Sequence, residues 1–260
     1  MRAHRIRLVG IIGVIVAALS VAGCNSSSDD TSGSTTNASA TGVWSGTDSV
    51  SGLSVTAFIN SAGQATFIRG DGVQFFGTAQ VSADTIAVTV DGYSDFPAAF
   101  SDGSTYGLGT LNGTVTTGST ITATLSFTTN AGTAIGGSWS LTFEALSNNA
   151  SSTAAVSANY TDSVTGAVLS ITSNGDMTEQ NASNGCVLNG SISTNDSSHD
   201  IYEVAYTFGN CTGTYAVLNG VQFTGLASLN TSLSAAQLTM AVTGASSTSK
   251  YAITSTLSGS

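Results

Sequence analysis

Residues 139–143 read Trp139-Ser140-Leu141-Thr142-Phe143, apolar at every odd position and hydroxyl-bearing at every even one. Side chains that alternate with period two turn one face to a core and the other to water, the pattern of an antiparallel β-strand. The same alternation runs through Ile121-Thr122-Ala123-Thr124-Leu125-Ser126-Phe127 and through Tyr202-Glu203-Val204-Ala205-Tyr206-Thr207-Phe208. No comparable stretch carries a helical period.

The breaks between such runs are short and carry turn chemistry: Asn60 to Gly63, Asp71-Gly72, Ser82 to Asp84, Ser173-Asn174-Gly175 and Asn195 to His199. Breaks of this length suit hairpins, hairpins join antiparallel neighbours, and a chain of hairpins is an up-and-down meander. Closing the meander into a barrel removes its exposed edges.

A repeat divides the chain. Thr47-Asp48-Ser49-Val50-Ser51-Gly52 recurs 114 residues later as Thr161-Asp162-Ser163-Val164-Thr165-Gly166. Each copy follows an aromatic, Trp44 or Tyr160, and further on Leu111-Asn112 and Leu229-Asn230 occupy similar places. The expected fold is therefore all-β: two tandem, internally repeated antiparallel meander β-barrels of about eight short strands each. They occupy residues 42–146 and 157–260, joined by a linker at 147–156. A single membrane pore is disfavoured, because transmembrane strands need about 9 to 11 residues and aromatic girdles. These runs are nearer seven and carry hydroxyls on their second face.

The first residues have a different character. Arg2, Arg5 and Arg7 precede an apolar run from Leu8 to Ala22, too short for a membrane span of roughly 20 residues but suited to an export signal. Val21-Ala22-Gly23-Cys24, which closes the run, resembles the bacterial lipobox, in which the cysteine thiol is acylated and the chain is cut just before it. The resemblance implies a signal peptide at 1–23, a lipidated Cys24 and a membrane partner reached through that anchor. Asn25 follows Cys24, where the enteric sorting rule would place Asp in inner-membrane lipoproteins, so the expected location is the bacterial outer membrane. From Asn25 to Thr41 the chain has no aromatic and no branched apolar residue. Such a stretch cannot offset its ordering entropy and reads as a disordered, flexible tether completing the segment 24–41.

Cleavage before Cys24 would leave Arg69 and Lys250 against fifteen acidic residues, a formal charge of −13. That balance argues against nucleic acid as a partner, since its phosphates must be met by Lys and Arg.

With Cys24 given to lipid, Cys186 and Cys211 remain as an even pair in an exported chain, where bridging is favoured. They are centred on the turn 196–200, so a hairpin would bring them opposite each other. Their parity disagrees by one: Leu188 and Ile192 share the face of Cys186, whereas Tyr202, Val204, Tyr206 and Phe208 lie on the face that Cys211 is not on. One extra residue near Gly209-Asn210 reconciles them. A disulfide with a bulge beside Cys211 is expected.

His199, with Ser197, Ser198, Asp196 and Asp200 crowded around it, reads as a polar hairpin tip and not as a catalytic triad, whose members come from separate segments. Arg69-Gly70-Asp71 spells an integrin-type tripeptide, but Asp71-Gly72 is also a natural hairpin turn. Asp91, Asp95 and Asp102 flank the excursion 96–101 without EF-hand spacing. Tyr93, Phe96 and Phe100 on that excursion form a possible binding rim, although a loop folded over a barrel mouth would bury them equally well. No catalytic constellation, metal site or cofactor is expected.

Gly42-Val43-Trp44-Ser45-Gly46 looks like the Gly-x-Trp opening of lipocalin and avidin barrels, where the tryptophan plugs one end. The larger plan, a lipidated cysteine, a tether and two barrels, is similar to two-barrel surface lipoproteins of Gram-negative bacteria. These likenesses imply a non-enzymatic envelope protein that binds a partner. The alternatives are a lipocalin-like carrier of a small apolar ligand, and a surface adhesin or envelope structural protein.

Overall fold

The computed structural model describes residues 36–259. The lipobox, Cys24 and most of the expected tether lie outside the described residues. The first barrel runs β1 (Gly42–Asp48), β2 (Ser54–Ile59), β3 (Gln64–Arg69), β4 (Gln74–Ser82), β5 (Thr85–Tyr93), β6 (Tyr106–Thr116), β7 (Thr120–Thr129) and β8 (Ala134–Phe143). The second runs β9 (Asn159–Thr161), β10 (Val168–Ile171), β11 (Asp176–Gln180), β12 (Val187–Ser193), β13 (Tyr202–Gly209), β14 (Gln222–Asn230), β15 (Gln237–Ala245) and β16 (Lys250–Gly259). Each set pairs antiparallel in sequence order and closes on itself, β8 onto β1 and β16 onto β9.

Alternation decides which face goes inward. Along β7, Ile121, Ala123, Leu125, Phe127 and Thr129 are buried while the intervening Thr and Ser are exposed. Trp139, Phe67, Phe75 and Phe127 meet inside the first barrel, with ring centroids 5.4 to 5.6 Å apart. Tyr206, Phe208 and Phe223 form the matching aromatic group in the second, at 5.2 to 5.7 Å. Burial of such rings is the main stabilising term, roughly 1.5–3 kcal/mol for each large apolar side chain. Strands β6, β7 and β8 run 11, 10 and 10 residues. The expected length near seven is therefore too short for this part of the chain, because Thr and Ser extend strands as readily as they form turns. Polarity is the sounder argument against a pore: the outer faces are hydroxyl-rich, whereas a membrane barrel turns an apolar band outward.

The repeat builds the same hairpin twice. Thr47 pairs with Ser54, and Thr161 pairs with Val168 in the identical register. Asp48 Oδ1 accepts the Val50 N–H at 3.0 Å, and Asp162 Oδ1 accepts the Val164 N–H at 2.7 Å. Each aspartate thus closes its own turn, and Gly52 (φ +74°) and Gly166 (φ +70°) complete it in the left-handed region where a Cβ is disfavoured. The preceding aromatics play one role: Trp44 Nε1 donates to the Ala40 carbonyl at 2.9 Å and Tyr160 Oη to the Val156 carbonyl at 3.0 Å. Both are fully buried, and both tie the first strand of a barrel to the chain four residues upstream.

The end of the expected tether and the expected linker are both held in place. Asn37 Oδ1 accepts the Ala83 N–H and the Ala38 N–H donates to the Ala83 carbonyl, while Ala38 and Ala40 pack on the first core. The end of the expected tether is therefore part of the first barrel, because small alanines fit its mouth. At the expected linker, a 3-10 turn (Ala145–Asn148) buries Ser147, a short helix (Thr153–Val156) buries Val156, and Ser151 is buried between the two. Ser147 Oγ accepts the Val43 N–H at 3.0 Å.

The outer faces of the barrels meet in a third apolar cluster: Val43 and Phe58 from the first, Ile201 and Leu226 from the second. These residues point away from their own barrel interiors, so their burial belongs to the interface.

Candidate functional site

The excursion after β5 clasps the second barrel. Asp95 forms a parallel bridge with Ala252, Phe96 N donates to the Ala252 carbonyl at 2.9 Å, and Asp95 Oδ1 accepts from Gln74 Nε2 (3.0 Å) and Thr254 N (2.8 Å). Phe96 packs edge-on against Tyr215 (5.5 Å) and Tyr251 (5.7 Å) of the second barrel. Phe100 turns the other way, onto Phe127 of the first core. Tyr93 is buried at the junction between Phe76 and Tyr106. Tyr93 is buried and Phe96 and Phe100 are partly buried, and the three rings expected at a rim point to different places instead of converging on one opening.

Cys186 and Cys211 form the expected disulfide. Strands β12 and β13 pair Val187 with Gly209, one register step short of what the cysteines need. Asn210 supplies the extra residue, at φ +60°, and turns Cys211 back to the buried side.

The other candidates resolve into local structure. His199 Nδ1 lies 3.1 Å from Asp196 Oδ2 and 3.0 Å from Ser198 Oγ within a single turn. Asp200 is buried apart from them and accepts from Ser228 Oγ and Leu229 N. Arg69 is buried and gives both Nε and Nη2 to Asp71 (3.0 and 2.8 Å), so the tripeptide is closed on itself. The three carboxylates flanking the excursion diverge: Asp91 toward Tyr106 and Lys250, Asp95 toward Gln74 and Thr254, Asp102 toward Ser104 and Thr129. Among the described residues no group of three or more His, Cys, Asp or Glu converges as a metal site would require.

What the sequence did not mark is a trough of about 360 Å³ on the outer face of β4, β5 and β6. Register explains its shape. Thr78, Thr89 and Thr110 stand opposite one another across the three strands and form a low floor. Phe76 and Asp91 rise on one side, Gln80 and Asn112 on the other. Asp91 Oδ1 accepts the Tyr106 hydroxyl at 3.3 Å and lies 3.9 Å from Lys250 Nζ, which sits 3.9 Å above the Tyr106 ring. Lys250 of β16 stands beside Asp91 at that edge, while the lining of the trough itself comes from β4, β5 and β6 of the first barrel. Its sequence signal was the doublet Phe75-Phe76, which breaks the alternation: Phe75 enters the core and Phe76 is left outside.

The same strands of the second barrel, β12, β13 and β14, also carry a concavity, floored by Ser191, Ala205 and Thr224. There Gln64 of the first barrel forms part of the wall, and Glu203 is held by Asn60 (3.2 Å) and Asn195 (2.7 Å). No protein-family model matches the chain, and no curated protein matches it.

Proposed function

We propose that this chain is a lipid-anchored protein of the bacterial outer membrane whose two barrels act as a non-enzymatic binding module. The observation that carries the reading is that both barrel interiors are occupied by their own aromatic side chains, while a concave, polar trough on β4–β6 stays open to solvent. Filled interiors weigh against a carrier holding a small apolar ligand inside a barrel. The Arg69–Asp71 pair weighs against adhesion through that tripeptide. The lipobox-like Val21-Ala22-Gly23-Cys24 supplies the anchor, and the acidic surface keeps polyanions away.

The test is photo-cross-linking in intact cells expressing the full chain, with a photoreactive residue at position 89. The reading expects a covalent adduct with an envelope component, absent when the reactive residue stands at position 207 on the second barrel. Equal labelling from both positions, or no adduct from either, would overturn it.

A further inference from the structure

We infer that the β4–β6 trough binds a neutral saccharide of one or two rings. The inference rests on the binding-module reading and names its ligand class. The lining is dense in hydrogen-bonding groups and almost free of net charge: three threonine hydroxyls, the amides of Gln80 and Asn112, and one carboxylate, Asp91, with Lys250 3.9 Å away. Hydroxyls and amides both donate and accept, and a carboxylate accepts at two oxygens, which matches the vicinal hydroxyls of a sugar ring. Phe76, backed by Tyr93, adds a partly exposed aromatic ring at the edge, and a sugar's C–H face packs on such a surface. The volume, about 360 Å³, lies at the small end of the range for ligand sites and suits one or two rings.

Charge narrows the class. The described residues hold two Lys and Arg side chains: Arg69 is buried against Asp71, and Lys250 is engaged with Asp91 and Tyr106. Arg69 is closed off by its own ion pair, and the exposed Lys250 is already faced by Asp91 and the Tyr106 ring, so the trough offers an anionic ligand little unopposed positive charge. The equivalent concavity of the second barrel is walled by Gln64, so the internal duplication left one such face engaged between the barrels and the other open. The open face also lacks the apolar knobs that join the barrels, Ile201 and Leu226, and this argues against a second copy as its occupant.

Ligand-observed NMR on the full-length protein tests this, with maltose, cellobiose and N,N′-diacetylchitobiose as probes and a glucuronate-containing disaccharide as the acidic comparison. At least one neutral probe should bind saturably below about 20 mM. Phe76→Ala should weaken that binding about tenfold, in line with the loss of one aromatic contact. Thr89→Arg, an exposed change that fills the floor without touching the core, should abolish it, and Thr207→Arg on the second barrel should leave it unchanged. Absence of saturable binding by all three neutral probes, binding indifferent to Thr89→Arg, or tighter binding of the acidic disaccharide would overturn the assignment. A position-89 cross-link to an envelope protein, with no saccharide binding, would refute the ligand class and leave the binding-module reading standing.

Discussion

Asp95, on the loop that follows β5 of the first barrel, accepts the backbone N–H of Thr254 on β16 of the second at 2.8 Å. Its other partner, Gln74 Nε2, belongs to the first barrel, so one carboxylate ties the two together. Asp95→Ala would leave both donors without an acceptor and should cost about 1–3 kcal/mol, read as a lower denaturant midpoint. Asp95→Asn retains an acceptor oxygen and should cost much less at neutral pH.

The same residue governs part of the pH response. Burial pushes the Asp95 carboxyl up to about 6, against the hydrogen bonds from Thr254 and Gln74, and burial likewise raises Asp200 to about 6. The folded state therefore binds more protons than the unfolded chain between pH 3.8 and about 6, and stability falls as pH rises through that window. Asp48 and Asp71 oppose this at the acid end. Both are disfavoured by desolvation, but hydrogen bonds from Ser51, Ser138 and Val50 hold Asp48 below its usual range, and Arg69 does so for Asp71. Their contribution is present above pH 3.8 and is lost as pH falls below it. Melting temperature should thus peak in mildly acidic buffer, and the decline from that peak toward pH 7 should shrink in the double variant Asp95→Asn, Asp200→Asn.

Phe96 is the apolar half of the clasp. Phe96→Ala removes a half-buried ring from between Tyr215 and Tyr251 and should lower stability by about 2 kcal/mol, less than a fully buried phenylalanine would. Combined with Asp95→Ala it should lower the coupling between the barrels and broaden the calorimetric transition, while the Val43, Phe58, Ile201 and Leu226 cluster still joins them.

The two repeat hairpins make an internal comparison. Asp48 is fully buried and also accepts from Ser51 Oγ at 2.7 Å and Ser138 N at 3.0 Å, whereas Asp162 accepts from turn amides near the surface. Asp48→Ala should cost about 2–3 kcal/mol and Asp162→Ala about 1 kcal/mol or less, measured as shifts in chemical denaturation.

Reduction of the disulfide reopens a loop spanning a sequence separation of 25 residues in the second barrel. Cys186→Ser with Cys211→Ser should lower stability by roughly 3 kcal/mol. Limited proteolysis should then cut first between β12 and β14, and cleavage in the first barrel would count against this localisation.

Much of this architecture was legible in residues whose environment is local. Alternation in Ile121 to Phe127 assigns the inner face unaided, the hexapeptide at Thr47 and Thr161 specifies one hairpin twice, and the parity conflict between Cys186 and Cys211 puts an extra residue near Gly209-Asn210 before any register is known. Strand ends in β6 to β8 were not legible, since Thr and Ser serve strand and turn alike. The clasp escaped because Phe96 and Asp95 find their partners more than 100 residues away, on β16 and the turn before β14. The trough escaped for a related reason: Thr78, Thr89 and Thr110 are unremarkable singly and form a floor only once two registers are fixed.

The reading as an envelope-anchored binding module depends first on Cys24, and intact-mass spectrometry of the protein isolated from cell envelopes addresses it directly. The account predicts a chain beginning at Cys24 and carrying acyl mass on that residue. An unmodified Cys24, or an N-terminus at any other position, would contradict it.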